Sequence, residues 1–174
     1  MDKLLKYFII FLKFFIPSLI IKFPFQTVWL NYFLDIIDGD ILLNLGLNEY
    51  SYQTIDKFAD FISYIFMLLV SLNWQIRKTV IALFIYRTIG QVLFFVSRNE
   101  LSFFYFQNFL EPLMLIYTLL VFRNKSESKA FKSYKRHLKL IWIIILGYKL
   151  WNEWYLHFAN IDLSKILFGF TGGE

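Results

Sequence analysis

The chain has no cysteine, which excludes disulfides, thiolate metal sites and cysteine nucleophiles. It has no glycine-rich phosphate loop, no Ser/His/Asp arrangement and no haem-binding pattern. Internal repeats are absent and nothing marks a second domain, so residues 1–174 read as a single domain. The ten-residue, period-two segments of a membrane barrel are missing too. Runs such as Ile62–Leu72 and Leu140–Leu146 are almost continuously apolar instead. No small-residue cleavage site follows the apolar start Met1–Ile21, and Lys13 interrupts that run. The segment therefore reads as retained. Lys6 and Lys13, seven apart on one side, also suit a helix lying in the interface.

What is present is grease. Of 174 residues, 58% are hydrophobic and 22% aromatic, with 22 Phe, 11 Tyr and 5 Trp, and the mean hydropathy is +0.53. Long apolar stretches with short polar breaks predict an all-α, polytopic helical bundle integral to a cell or inner membrane. Six segments are expected: Leu4–Ile21, Phe25–Leu45, Thr54–Leu72, Thr79–Ser97, Leu101–Phe122 with a kink at Pro112, and Leu138–Ala159. Leu47–Gln53 reads as a short polar link, Arg98–Glu100 as a tight break, and the tail with Gly169, Gly172 and Gly173 as frayed or interfacial.

The net charge of +5 is concentrated. Between Arg123 and Lys139 lie seven basic residues and one acid, Glu127. The segment reads as a solvated cytoplasmic loop against anionic headgroups. Nucleic-acid binding would need a folded basic surface and is not expected. By the positive-inside rule, Arg77 and Lys78 share the loop's side, and the link between the second and third segments faces the other.

Four aspartates sit in or beside these apolar segments. Asp35 and Asp38 are three apart and share a helix face; Asp56 and Asp60, four apart, do the same on the next helix. A carboxylate in hydrocarbon is costly unless it meets a cavity, a partner or a cation. Two such pairs on adjacent helices suggest an anionic cup, most simply neutralised by divalent metal. The plainer alternative puts Asp35, Asp38 and Asp40 at a wet helix end, with Asp56 near a helix N-terminus.

Written out, the region is Asp35-x2-Asp38-Gly39-x16-Asp56-x3-Asp60. It resembles the signature of CDP-alcohol phosphatidyltransferases, D-x2-D-G-x2-A-R-x8-G-x3-D-x3-D, over about residues 25–72. The resemblance implies six membrane helices and one or two divalent cations, Mg or Mn, on Asp35, Asp38 and Asp56. Asp60 would bind metal or act as the catalytic general base on an acceptor alcohol. Gly39 would allow close approach of the nucleotide. The sequence departs from the pattern at Leu42 and Leu43, where the family has alanine and arginine, and at Tyr52, where it has its second glycine. These side chains would fill the nucleotide pocket and make it less basic. The expected function is therefore a metal-dependent phosphotransferase acting on a phosphate-linked lipid or alcohol. The alternative is a catalytically degenerate or non-enzymatic relative, such as a small-solute transporter. The family's metal site opens to the cytoplasm, whereas the charge rule puts this one on the far side.

Other polar residues interrupt apolar context. Arg87 and Gln91 share a face, as do Asn108 and Glu111, and Lys149, Asn152, Glu153 and His157 form a stripe. Arg87 and Lys149 are candidate substrate-binding residues for phosphate, against simple pairing such as Arg87 with Glu111. Glu153 and His157 suit a hydrogen-bonded pair, and Trp142, Trp151 and Trp154 an aromatic belt. Expected partners are membrane lipids, a phosphate-containing substrate and a second copy of the chain.

Overall fold

The computed structural model describes residues 2–98 and 101–157. Every element among them is helical: α1 (Asp2–Phe15), a 3-10 turn (Ile16–Ile21), α2 (Pro24–Asn44), α3 (Glu49–Ser71), α4 (Arg77–Ser97), α5 (Leu101–Tyr105), α6 (Leu110–Asn124), α7 (Glu127–Arg136) and α8 (Leu138–His157). The expectations on Asn99, Glu100, Ala159 and the glycine-bearing tail lie outside the described residues, as do those on the side chains of Glu153, Trp154 and His157.

Local chemistry explains the boundaries. Pro17 has no N–H to donate to the carbonyl of Lys13, so α1 gives way to the 3-10 turn just beyond that lysine. Pro24 opens α2 at the first-turn position that tolerates it. Gly46, at φ +76°, closes α2. Its N–H donates to Leu43 at 2.9 Å and that of Leu47 to Leu42 at 3.0 Å, the paired bonds of a Schellman stop. Asn48 then caps α3, its side chain accepting from Ser51 N at 2.8 Å. Helix α3 thus begins five residues before the expected Thr54 and absorbs most of the supposed link. Asp56 and Asp60 sit correspondingly deeper in it than its first two turns.

Two further expectations are corrected. The single helix Leu101–Phe122 is two helices, α5 and α6, parted at Phe106–Phe109. Pro112 lies in the first turn of α6, where it lacks no partner and causes no kink. The exposed backbone of the break is held by side chains. Arg87 Nη1 donates to the Phe106 carbonyl at 2.8 Å, Tyr86 donates to the Tyr105 carbonyl, and Asn108 Oδ1 accepts from Glu111 N at 3.2 Å. Gly90 permits this connection to lie against α4, since a Cβ there would collide with Phe106. The basic segment is not a loop but the amphipathic helix α7, which buries Ala130 and Tyr134.

Short α6 is the centre of the bundle: Leu110, Leu113, Met114 and Tyr117 are fully buried. Around them pack Val28 of α2, Met67 of α3, Val80 of α4 and Ile145 of α8. Large apolar side chains cover the outside as well, including Leu4, Phe11, Phe33, Phe58, Ile85, Val96, Ile143 and Leu150. Among the described residues, two helical segments are long and apolar enough to cross a membrane, Lys3–Ile21 and Arg77–Ser97. Helices α2 (21 residues) and α3 (23 residues) reach ~30 Å at 1.5 Å per residue. They carry the acids and lysine that form the site described next.

Candidate metal centre and adjoining cavity

Along α2 one stripe runs Val28, Asn31, Asp35, Asp38 and Leu42, at alternating spacings of three and four. It faces Asp56, Ala59, Asp60 and Ser63 on α3, and Ser63 Oγ donates to Asn31 Oδ1 at 3.3 Å. One carboxylate oxygen from each of Asp35, Asp38 and Asp56 lies within 4.8 Å of the others. Asp60 stands outside this trio.

A lysine from α1 reaches into the trio. Lys13, 4% exposed, places its Nζ 2.5 Å from Asp56 Oδ1, 3.5 Å from Asp35 Oδ1, and in direct contact with Asp38 Oδ2. A second lysine, Lys57, lies 2.6 Å from Asp56 Oδ2 and 3.7 Å from Asp60 Oδ2. Four carboxylates therefore share two ammonium groups. These carboxylates are largely buried, where a charge is costly unless it is paired. Asp38 is completely buried; Lys13 meets one oxygen and the Tyr52 hydroxyl donates to the other at 3.2 Å.

The trio fits a hard divalent cation in two respects. Its donors are all carboxylate oxygens, which suit Mg or Mn rather than softer metals. Their spread is close to the roughly 4–5 Å that separates opposite oxygens around such an ion. The condition is that the Lys13 ammonium leave the space between Asp38 and Asp56.

Beside the trio opens a cavity of about 420 Å³. Asp35 and Asp60 line it from the acidic side, and Lys57, Arg87 and Lys149 supply cations. Arg87 is 6% exposed and stacks over Phe103 at 4.4 Å, and its Nε has no hydrogen-bond partner. Lys149 is buried to 8% exposure, with its Nζ 5.5 Å from the Tyr148 ring centre. Glu111 lines the same wall, oriented by Asn108, which also donates to Tyr64 at 2.9 Å.

The sequence-predicted residues thus divide. Asp35, Asp38 and Asp56 form the trio, while Asp60, Arg87 and Lys149 face the cavity. Gly39 faces neither: its open side is taken by Tyr52, whose hydroxyl would lie 2.7 Å from an added Cβ. Leu42 is fully buried in the bundle. Sequence reasoning missed Lys13 and Lys57. A lysine interrupting an apolar run was the signal for the first. For the second, adjacency to Asp56 hid it, because neighbouring residues on a helix do not share a face; a long flexible stem nevertheless reaches back. No protein-family model, no curated protein and no solved structure matches the chain.

Proposed function

We propose that the protein is a membrane-embedded, divalent-cation-dependent phosphotransferase acting on a phosphate-linked lipid or alcohol. One observation carries this reading: three carboxylates from two helices converge within 4.8 Å beside a cavity lined by Lys57, Arg87 and Lys149. Acids that can share a cation, next to bases that can hold phosphate, are what phosphoryl transfer requires. The aspartate spacing shared with the CDP-alcohol phosphatidyltransferases supports the same chemistry. The bundle lies in a bilayer, with the α5–α6 pair as one broken crossing among six. The apolar residues exposed on α1 to α4 and α8 favour lipid over water.

The roles follow from position. Asp35, Asp38 and Asp56 would hold Mg or Mn, which when bound neutralises charge on the phosphate oxygens and on the leaving group. Arg87 and Lys149 grip the phosphate from the opposite wall, with the unpartnered Arg87 Nε ready to donate. Asp60, outside the trio and facing the cavity, takes the proton from the acceptor hydroxyl as its oxygen bonds to phosphorus. The phosphorus–oxygen bond to the donor's leaving group breaks, releasing that group with the electron pair. Lys57, 3.7 Å from Asp60 Oδ2, is the cation nearest that carboxylate among the described ion pairs.

The test separates these roles. Purified protein is assayed for Mn binding, and for release of CMP or phosphate from labelled donors. Asp56→Asn is expected to lose both; Asp60→Asn is expected to keep Mn binding and lose release. Unchanged Mn affinity in Asp56→Asn would end the reading. Two observations favour a second, a catalytically degenerate bundle: Lys13 occupies the trio, and Tyr52 closes the face of Gly39. On that reading no variant binds Mn, and the ion pairs only hold helices together.

A further inference from the structure

A second charged concavity lies at the other end of the bundle. It has a volume of about 380 Å³ and is lined by Asn124, Lys129, Lys132, Ser133, Arg136 and His137. Every lining side chain is polar, three are permanently cationic and none is acidic. Lys129, Lys132 and Arg136 follow one another at spacings of three and four, so they form one stripe on α7. Like charges at these spacings repel on a helix, and no group in the cleft relieves them.

The cleft is braced rather than loose. Glu127, the lone acid of the segment, accepts from the Tyr117 hydroxyl at 2.6 Å, from Gln75 N at 2.8 Å and from Gln75 Nε2 at 3.1 Å. This ties the start of α7 to α6 and to the turn between α3 and α4. It also engages the acid of this segment away from the cleft. On the far side, His137 Nδ1 lies 3.0 Å from the Ser133 carbonyl, which fixes the hydrogen on that nitrogen and orients the ring.

The flanks say what kind of anion fits. Leu138, next in the chain after His137, is 40% exposed, and Leu140 beyond it on α8 is 55% exposed. Arg77 and Lys78, at the start of α4, add cations at the same end. A basic cleft bordered by bare apolar side chains matches a molecule with an anionic head and acyl chains better than a free ion.

We propose that this cleft binds the phosphate headgroup of one anionic phospholipid, with its chains over the exposed start of α8 at Leu138 and Leu140. The cleft shares no lining residue with the cavity that holds Asp60 and does not depend on the metal reading.

The experiment titrates delipidated protein in neutral detergent with dioctanoyl phosphatidylglycerol, with dioctanoyl phosphatidylcholine and inorganic phosphate as parallel ligands. Wild-type protein is expected to bind phosphatidylglycerol at least tenfold tighter than either. The pair Lys132→Gln/Arg136→Gln is expected to weaken that binding by about thirtyfold, given the attraction of two basic residues to an anionic headgroup. The pair Lys3→Gln/Lys6→Gln on α1, which removes the same charge elsewhere, is expected to leave it unchanged. Arg136→Lys, which keeps the charge, checks the fold by retaining affinity. Equal loss in both double variants would make the attraction non-specific and overturn the site. Inorganic phosphate binding as tightly as the lipid would overturn the assignment to a headgroup.

Discussion

Replacing Lys13 by methionine removes the ammonium shared by the aspartate trio while keeping a stem of similar length. The side chains left behind are 0% exposed at Asp38, 8% at Asp56 and 33% at Asp35. Deleting one partner of a buried ion pair costs about 3–5 kcal/mol, because the other charge stays buried and unpaired. The Asp35 contact is longer and partly wet, so it adds little. In a chain of this size each kcal/mol moves the melting temperature by about 2–4 °C. In chelator the variant should therefore melt about 6–20 °C below wild type. The emptied space also removes the competitor for a cation. Manganese at about a hundred times its Kd should return about 2.7 kcal/mol to the variant. In wild type the ion must first displace Lys13, so the same concentration should return much less. Tryptophan fluorescence of detergent-solubilised protein, heated with EDTA or Mn, reads both effects. A variant melting within about 2 °C of wild type in EDTA would refute the buried-pair reasoning. A manganese shift at least as large in wild type would refute the competition.

The chain's freedom from cysteine makes sidedness directly testable. Glu49→Cys and Lys132→Cys, both at exposed positions, should react with a membrane-impermeant maleimide from opposite faces of sealed vesicles; labelling from the same face would place both ends of the bundle on one side. Gly39→Ala pushes a methyl against the Tyr52 hydroxyl, which must then shift from Asp38, so the variant should forfeit the ~1 kcal/mol that alanine gains over glycine in a helix; chemical denaturation showing that full gain would contradict the close contact. Lys125 ends α6 in the left-handed region at φ 51°, so Lys125→Gly should raise stability by about 1 kcal/mol, measured by the same melt; a lower melting temperature would contradict the strain.

Helical class, the bounds of α2 and α4, and the shared faces of the aspartates were legible because they depend on period and on local stops. Gly46 and Pro24 act within one turn of themselves, so the sequence shows where they work. The start of α3 was less visible: the polar run Glu49–Gln53 resembles a link until Asn48 is seen to cap it. The break at Phe106–Phe109 was hidden because its carbonyls are met by Arg87 and Tyr86, nineteen residues away in each case. The basic segment misled through composition alone, since its helix depends on burying Ala130 and Tyr134 against the bundle. The trio could be assembled from spacing, but its occupant could not: Lys13 lies 43 residues before Asp56.

The arrival of that lysine from the first helix bears on how the chain enters a bilayer. On the membrane-embedded reading proposed above, α1 is delivered before either acid-bearing helix and brings a positive charge into the apolar layer first. An aspartate at the centre of an inserting helix costs about 2.5–3.5 kcal/mol, and α2 carries three. Met on emergence by an ammonium on its neighbour, α2 no longer has to cross as a solitary span. On that reading its lateral partition is coupled to α1, and removing α1 through Phe15, Lys13 included, should leave α2 stranded at the translocon.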